Sequence, residues 1–271
     1  MSNQPTISFV LVGCGYISQR YGDMLSRGLI ANARLAAVCD LDAPRANAAA
    51  AKWGCKPYTS LSDMLGREKP DVACVLTDSG SHAQIARALL PHVKDVVVEK
   101  PMSLRLEDAD AMVATSKKHG SRLHVVKQCR FNRAVSALKS ALDEGRFGKL
   151  SLGSVRVFRC RHQKYYDEHP WRGTWARDGG VLVNQASHHL DLLLWCMGEP
   201  VAVHAVSTRQ FANIEADDTA VAIIRFKSGA LGVVEATTTA RPNDMEGSLS
   251  ILGEKGSVLL GGHAAALLQR W

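Results

Sequence analysis

A chain of 271 residues, 46% hydrophobic and 22% charged, has the composition of an ordinary folded protein, which excludes a disordered, fibrous or low-complexity chain. At this length two modest cores are expected rather than one. The net charge of +7 leaves open nucleic acid, an anionic small molecule or solubility alone. Lysines and arginines are dispersed without a basic run, so an anionic small molecule is favoured and nucleic acid is not expected.

No apolar run approaches the roughly 20 residues of a membrane span, and the polar start from Met1 to Thr6 lacks the basic and apolar regions of a secretory signal. A cytoplasmic protein with no membrane partner is expected. The cysteines (Cys14, Cys39, Cys55, Cys74, Cys129, Cys160, Cys196) are scattered without CxxC spacing. They read as reduced core residues, neither disulfides nor zinc ligands, and no metal is expected.

In chain order, strands are predicted at Ile7 to Val12, Arg34 to Cys39, Val72 to Leu76, Asp95 to Val98 and Leu123 to Val126. Helices lie between them at Ser18 to Arg27, Ala43 to Trp53, Ser81 to Leu90 and Leu106 to His119. Strands alternating with helices of crossover length predict an α/β, doubly wound parallel sheet of Rossmann type over residues 1–128. An amphipathic stretch, Ala134 to Leu142, follows. Next come a polar aromatic loop, a helical block from Gly180 to Met197, and alternating strands at Ala202 to Thr208, Thr219 to Phe226, Leu231 to Thr238, Gly247 to Leu252 and Ser257 to Leu260. Residues 129–271 are therefore predicted as an α+β domain on a mostly antiparallel open sheet with helices on one face. The open face suggests association with other copies.

Directly after the first strand stands Gly13-Cys-Gly15-Tyr16-Ile17-Ser18, a GxGxxS turn leading into a helix. The first glycine permits the tight turn, the second lets backbone approach a pyrophosphate, and the small third residue allows close strand–helix packing. The helix N-terminus supplies free N–H groups for phosphate. Asp40, ending the second strand, is placed to accept from the adenosine ribose hydroxyls. It also opposes a 2′-phosphate, and the nearest arginine is Arg45, so NAD is favoured over NADP. The plain alternative is that the glycines merely make a turn.

The strand ending at Val98 runs into Glu99-Lys100-Pro101, at the carboxyl edge where doubly wound folds bind ligands. Leu76-Thr77-Asp78 with His82 follows the preceding strand, and Gly179-Gly180-Val-Leu-Val-Asn184-Gln-Ala-Ser-His188-His189-Leu-Asp191 opens the long helical block. On these residues the chain resembles the Gfo/Idh/MocA family of sugar and inositol dehydrogenases over nearly its whole length. The resemblance implies that Lys100 and His188 face the substrate beside the nicotinamide as the catalytic pair, with Glu99 and Thr77 near the nicotinamide ribose. Two positions depart from the family pattern: Asn184 replaces the usual acid and Ala186 the usual glycine. Asn184 cannot accept a proton, which leaves Lys100 or His188 as the base. His189 points to another helix face and reads as structural.

A narrower resemblance lies in Val126-Lys-Gln128-Cys-Arg130-Phe-Asn132, in Arg161-His-Gln163-Lys-Tyr165-Tyr166, in Pro170-Trp171-Arg172-Gly-Thr-Trp175 and in Asn184 to His188. It is to the branch that oxidises the 3-hydroxyl of UDP-N-acetylglucosaminuronate for surface polysaccharide sugars. This resemblance implies NAD bound through Gly13, Gly15, Tyr16, Ile17, Ser18, Asp40, Thr77, His82, Glu99, Lys100 and Gln128. It implies an anionic UDP-sugar bound through Lys100, Arg130, Asn132, Arg161, Gln163, Tyr165, Tyr166, Arg172, Asn184, Gln185 and His188. Dimers or tetramers are implied as well, and so is a chain that in other members continues past the position of Trp271, as though this domain were truncated.

The residue types suit the chemistry. Oxidising an alcohol needs a base with a pKa near the working pH, and burial beside a cationic nicotinamide pushes a lysine in that direction. Arginine suits bidentate carboxylate recognition, which makes Arg130, Arg161 and Arg172 candidates for the uronate or diphosphate. Solvated loop arginines are the plain alternative. Two other readings stand beside this one. A family dehydrogenase of an uncharged sugar or inositol would use the same Lys100 and His188, whereas a non-catalytic NAD-binding regulator would need neither.

Overall fold

The structure, a computed structural model, describes residues 5–271. It divides into two compact units at Val126 and Lys127, two residues before the boundary expected from sequence.

The first unit runs β1 (Ile7–Val12), α1 (Ser18–Ser26), β2 (Ala33–Cys39), α2 (Ala43–Trp53), β3 (Lys56–Tyr58), α3 (Leu61–Arg67), β4 (Val72–Val75), α4 (His82–Leu89), β5 (Asp95–Val98), α5 (Leu106–His119) and β6 (Arg122–Val125). All six strands are parallel in the order β3-β2-β1-β4-β5-β6. Alternation along each strand gives the sheet two buried faces. Val10, Ala37, Ala73 and Val96 pack on one side with Leu89 and Met112. Leu11, Val38 and Cys74 pack on the other with Trp53. Helix ends follow local chemistry: Asp42 caps α2 by accepting from Arg45 N at 3.1 Å, and Gly54 closes it in the left-handed conformation.

β3 and α3 lie outside the sequence prediction. β3 is three residues long and contains Pro57, which has no N–H and is tolerated only at the sheet edge where it sits. Helix α3 is seven residues long, too short for a periodic signal, and depends on Ser60 accepting from Asp63 N at 3.2 Å.

The second unit runs α6 (Arg133–Asp143), β7 (Leu150–Phe158), α7 (Gln163–Asp167), α8 (Gly180–Asn184), α9 (Ser187–Met197), β8 (Pro200–Thr208), β9 (Thr219–Phe226), β10 (Leu231–Thr237), β11 (Glu246–Gly253), β12 (Ser257–Gly261) and β13 (Leu267–Arg270). The seven strands are ordered β13-β12-β11-β7-β10-β9-β8, and every pairing is antiparallel except β7 with β10. Leu138 of α6 and Leu192 and Leu193 of α9 share a core with Val155, Val234, Leu249 and Ile251. Val206 of β8 and the alternate residues Val221 and Ile223 of β9 are exposed on the uncovered face.

Three predicted features need correction. The central strand β7 was absent from the predicted strands, and so was β13. The helical block expected to be continuous from Gly180 to Met197 is two helices, broken at Gln185 and Ala186. The break coincides with tertiary use of Asn184 and Gln185, whose amides bond outside the helix.

The loop into β9 is held by Asp218, only 1% exposed. It accepts from Gln210 N at 2.9 Å, Phe211 N at 2.8 Å, Ala212 N at 3.1 Å and the Thr219 hydroxyl at 3.0 Å. Burial pulls its pKa up, but the N–H groups of Ala212, Phe211 and Gln210 outweigh that and hold it below the usual carboxylate value. Asp218→Ala leaves these donors without their acceptor and should cost on the order of 3 kcal/mol in urea unfolding. Because the folded pKa is the lower one, the wild-type contribution is present above the ordinary carboxylate pKa of about 3.9 and is lost as pH falls below it. The stability gap between wild type and Asp218→Ala should therefore shrink on acidification.

Candidate active site

In the first unit the sheet order reverses between β1 and β4, the switch point at which doubly wound sheets bind ligands beyond the carboxyl ends of the strands. Gly13 turns there with φ of 97°. A Cβ on it would lie 2.8 Å from the Leu76 carbonyl carbon and from Thr77 Cγ2, so no other residue fits. Ser18 Oγ donates to Gly15 O at 2.6 Å and closes the loop. A Cβ on Gly15 would meet nothing within 4 Å, so the loop backbone is open to approach, with Tyr16 exposed beside it. Helix α1 begins here with no acidic residue in its first turn, leaving its positive end for an anion.

Asp40 accepts from Cys14 N at 2.7 Å and Asp42 N at 2.9 Å. It ties the glycine loop to the end of β2 while keeping further lone pairs for a ribose. Burial first, then the Asp40 charge, push the Cys14 thiol up to about 12, which makes it packing rather than a nucleophile. After β4, Thr77 Oγ1 accepts from Ser81 Oγ at 2.7 Å. After β5, Glu99 accepts from the Tyr21 hydroxyl at 2.8 Å and from Lys100 N at 3.0 Å. Burial and the Glu99 carboxylate together hold the Tyr21 phenol protonated. Glu99 thereby fixes the main chain at Lys100. Tyr21 carries no sequence signal for this task, because the pair is formed across 78 positions of chain.

His82 is placed differently from its predicted cofactor role. Its ring is 1% exposed, with Nδ1 2.7 Å from Pro101 O and Nε2 3.1 Å from Thr77 O. It buttresses the two loops that carry Thr77 and Lys100.

In the second unit, His188 lies in the first turn of α9, and Gln128 Nε2 is 3.1 Å from its Nε2. The neighbouring His189 is buried. Burial and then the nearby Arg159 push it down to about 4, so it is a neutral packing residue. A second cluster joins Arg161, Tyr165, Arg172, Asn184 and Gln185. The Tyr165 ring has the Arg172 guanidinium 4.0 Å and the Arg161 guanidinium 5.3 Å from its centroid. Arg161 Nη2 donates to Gln185 Oε1 at 3.1 Å, and Gln185 Nε2 donates to Asn184 Oδ1 at 2.7 Å. Asn184 in turn donates to Asp178.

Other predicted substrate residues are committed elsewhere. Arg130 forks onto Asp191 at 2.8 and 2.7 Å and lies over Trp195; it fastens the turn before α6 to α9. Asn132 donates to Ala264 O at 3.0 Å. Gln163 exchanges bonds with Asn213, accepting at 2.8 Å and donating at 3.3 Å. Tyr166 is buried with its hydroxyl 2.9 Å from Thr238 Oγ1. Cys160, read as a core residue, is only partly buried, its Sγ 3.4 Å from His162 Nε2.

Sequence reasoning missed Asp244. It accepts from Cys160 N at 2.7 Å and Arg161 Nη1 at 2.9 Å and so orients Arg161. Its carboxyl is held below the usual value: burial raises it, but the Cys160 N–H and the Arg161 and Arg159 charges lower it further. A lone acid in a turn 83 residues from its partner gives no local pattern to find.

Two family models divide the chain between them: the oxidoreductase family's NAD-binding Rossmann fold matches residues 7–127, and the GFO/IDH/MocA C-terminal domain matches residues 135–259. The chain belongs to the Gfo/Idh/MocA family of oxidoreductases. Among solved structures of this family, the WlbA dehydrogenase of Bordetella pertussis in complex with NADH and UDP-GlcNAcA is 41% identical with a TM-score of 0.94, over 98% of this chain and 82% of that one. The WlbA dehydrogenase of Chromobacterium violaceum, also with NADH and UDP-GlcNAcA, is 40% identical with a TM-score of 0.95, over 100% of this chain and 78% of that one. The myo-inositol 2-dehydrogenase of Thermotoga maritima is 29% identical, over 92% of this chain and 73% of its own length. The chain spans 60% of the length of the D-apiose dehydrogenase of Paraburkholderia graminis, to which it is 28% identical.

As a member of this family the chain is an NAD-dependent oxidoreductase, and the described loop fits that cofactor: a glycine turn that a Cβ would block, open backbone at Gly15 and a carboxylate at the end of β2. Replacing Asp40 with Ala removes a ribose acceptor and the anchor of Cys14 N. Calorimetry should show NAD binding weakened by about tenfold to a hundredfold, one or two charge-assisted hydrogen bonds, and a smaller gap between NAD and NADP. Wild type binding NADP more tightly than NAD would overturn the role of Asp40.

Proposed function

We propose that the chain oxidises the 3-hydroxyl of a UDP-N-acetylglucosaminuronate-type sugar nucleotide to the 3-keto sugar in the cytoplasm, for surface polysaccharide sugars. The observation that carries this reading is identity of 40–41% over essentially the whole chain to two dehydrogenases whose structures hold NADH and UDP-GlcNAcA. The paired guanidinium groups of Arg161 and Arg172 on Tyr165 support it, since they suit a carboxylate or diphosphate. Among the described residues no helix is long and apolar enough to cross a membrane. Val206 of β8 with Val221 and Ile223 of β9, exposed on one face, support association of copies through the uncovered sheet face.

NAD, when bound, supplies the acceptor for the hydride. The remaining work falls to side chains: the C–H electron pair leaves as hydride, the O–H proton passes to a base, and the C=O bond forms. In this reading Lys100 Nζ and the His188 ring share that proton. Asn184, an amide bonded to Asp178, orients the helix break and takes no proton. Asp244 and Gln185 hold Arg161 toward the uronate.

NADH formation should appear with UDP-N-acetylglucosaminuronate and not with UDP-N-acetylglucosamine, glucose or inositol. Turnover of inositol instead would favour the reading suggested by the myo-inositol 2-dehydrogenase relative. Lys100→Ala and His188→Ala should each lower kcat by about 10² to 10⁴. The double variant should lose far less than the product of the two, because groups sharing one transfer are non-additive. NAD affinity should move far less than kcat, because neither residue is placed to bind the pyrophosphate or the adenosine. A double variant at wild-type rate would remove both residues from the reaction.

Arg161→Ala or Arg172→Ala should raise KM for the uronate well beyond any change for UDP-N-acetylglucosamine, because the lost interaction is with the carboxylate. Equal changes in steady-state KM for both nucleotides would assign these arginines to the diphosphate or to the fold.

A further inference from the structure

We infer that Gln128 is a positioning residue that fixes the tautomer of His188, keeping its Nε2 lone pair presented as an acceptor. The inference rests on the reading above that His188 handles the substrate proton. It assigns Gln128 a different task from the cofactor contact expected of it.

The contact is built into the fold. Gln128 opens the turn between β6 and α6 and is itself exposed, while the residues around it are pinned to the core or to α9. Cys129 is 4% exposed in the core beneath α9. Arg130 forks onto Asp191, and Lys127 Nζ is 3.8 Å from the same carboxylate. Asp191 stands one helical turn beyond His188 and on the same side of α9. The clamp at Asp191 therefore lays the Gln128 side chain over the His188 ring, with Nε2 to Nε2 at 3.1 Å.

An amide nitrogen carries only hydrogens, so the ring nitrogen it meets must be the unprotonated one. Neutral His188 then holds its own proton on Nδ1. A substrate hydroxyl donating to Nε2 replaces the amide donor like for like. Once the ring is protonated the amide must turn and offer Oε1. Glutamine can make both bonds; glutamate can make only the second, and leucine neither.

Several elements near α9 carry charged or titratable groups. On its own helix are the neutral, buried His189 and Asp191. From the turn before α6 come Lys127 and Arg130, both against the single carboxylate of Asp191, which leaves one net positive charge. Beyond the end of β7 stand Arg159 with His263 and Asp244, and ahead of α8 stand Arg177 and Asp178. Arg156 of β7 pairs with Glu235 of β10 and with Glu246 of β11 on the face of the sheet away from α9.

The test uses the whole chain labelled with ¹⁵N-histidine and no ligand. The His188 ring signals are assigned by their absence in His188→Ala, and are followed by NMR against pH. Wild type should show Nδ1–H with Nε2 unprotonated in the neutral form. Gln128→Glu should switch the neutral form to Nε2–H and raise the titration midpoint by about one pH unit or more, as an adjacent carboxylate does. Gln128→Leu should give a mixture of tautomers, and serves as the second variant if the glutamate perturbs folding. A wild-type ring that is Nε2–H when neutral, or a Gln128→Glu ring with an unchanged tautomer and midpoint, overturns the inference.

In kinetics, the acid limb of kcat/KM for Gln128→Glu should move alkaline by the same amount, about tenfold in proton concentration, with KM for NAD unchanged. If the ring responds as expected but the acid limb does not move, the hold of Gln128 on His188 stands and the catalytic reading of His188 falls.

Discussion

The second unit depends on how closely α9 approaches β7. At Gly153, in the middle of β7, a Cβ would lie 2.7 Å from Leu193 Cδ1 and 2.8 Å from the Met197 side chain. Any side chain there would lift the helix from the sheet. That helix carries His188 and Asp191 on one side and Leu192 and Leu193 in the core. One missing methyl group thus sets the height of the candidate catalytic histidine, the position of the acid that clamps Arg130, and the packing of the core beneath both. The first unit has a parallel constraint at Gly13, where a Cβ would strike the Leu76 carbonyl; it brings the glycine loop against the strand that leads to Thr77.

Around these two close approaches, polar residues act in chains. Glu99 joins Tyr21 to the main chain of Lys100. Asp244 reaches Asn184 through Arg161 and Gln185. Most such links span tens of residues, and apart from the exposed Arg161–Asp244 bond each is partly buried, where a lost partner costs more than a surface contact would. In each unit acids hold the candidate residues: in the first, Asp40 the glycine loop and Glu99 the main chain at Lys100; in the second, Asp191 the turn over His188 and Asp244 the Arg161 side chain.

The first unit was readable in sequence because its signals are local. Alternating crossovers, the Gly13 to Ser18 turn and Asp40 at a strand end all follow from patterns within about 30 residues. The second was less so. β7 escaped because its apolar pattern changes phase: Leu150 and Leu152 alternate on one face and Val155 and Val157 on the other, where the glycine that admits α9 opens the buried row. The break between α8 and α9 was hidden because Val181 to Met197 is apolar enough to read as one helix. Among site residues, motif matching named Lys100, His188, Arg130 and Arg161 as candidates, but it could not tell which side chains each arginine meets within the fold. Arg130 matched a motif and belongs to Asp191; Asp244 and Tyr21 matched none, since a partner far along the chain leaves no trace in local spacing.

The parallel pairing of β7 with β10 sets the order in which the second sheet can be assembled. β7 ends at Phe158, yet its two neighbours are β10, starting at Leu231, and β11, starting at Glu246. The hairpins β8–β9 and β9–β10 join strands that follow one another directly in the chain. During synthesis β7 leaves the ribosome with both edges unpaired while the whole segment that carries His188 is made, and the centre of the sheet closes only when residues near 250 emerge. Non-local closure of this kind is slow and leaves strand edges open to other chains. The interval leaves the inward row of Val155 and Val157 uncovered, so the strand on which α9 rests is also one whose edges wait longest for partners.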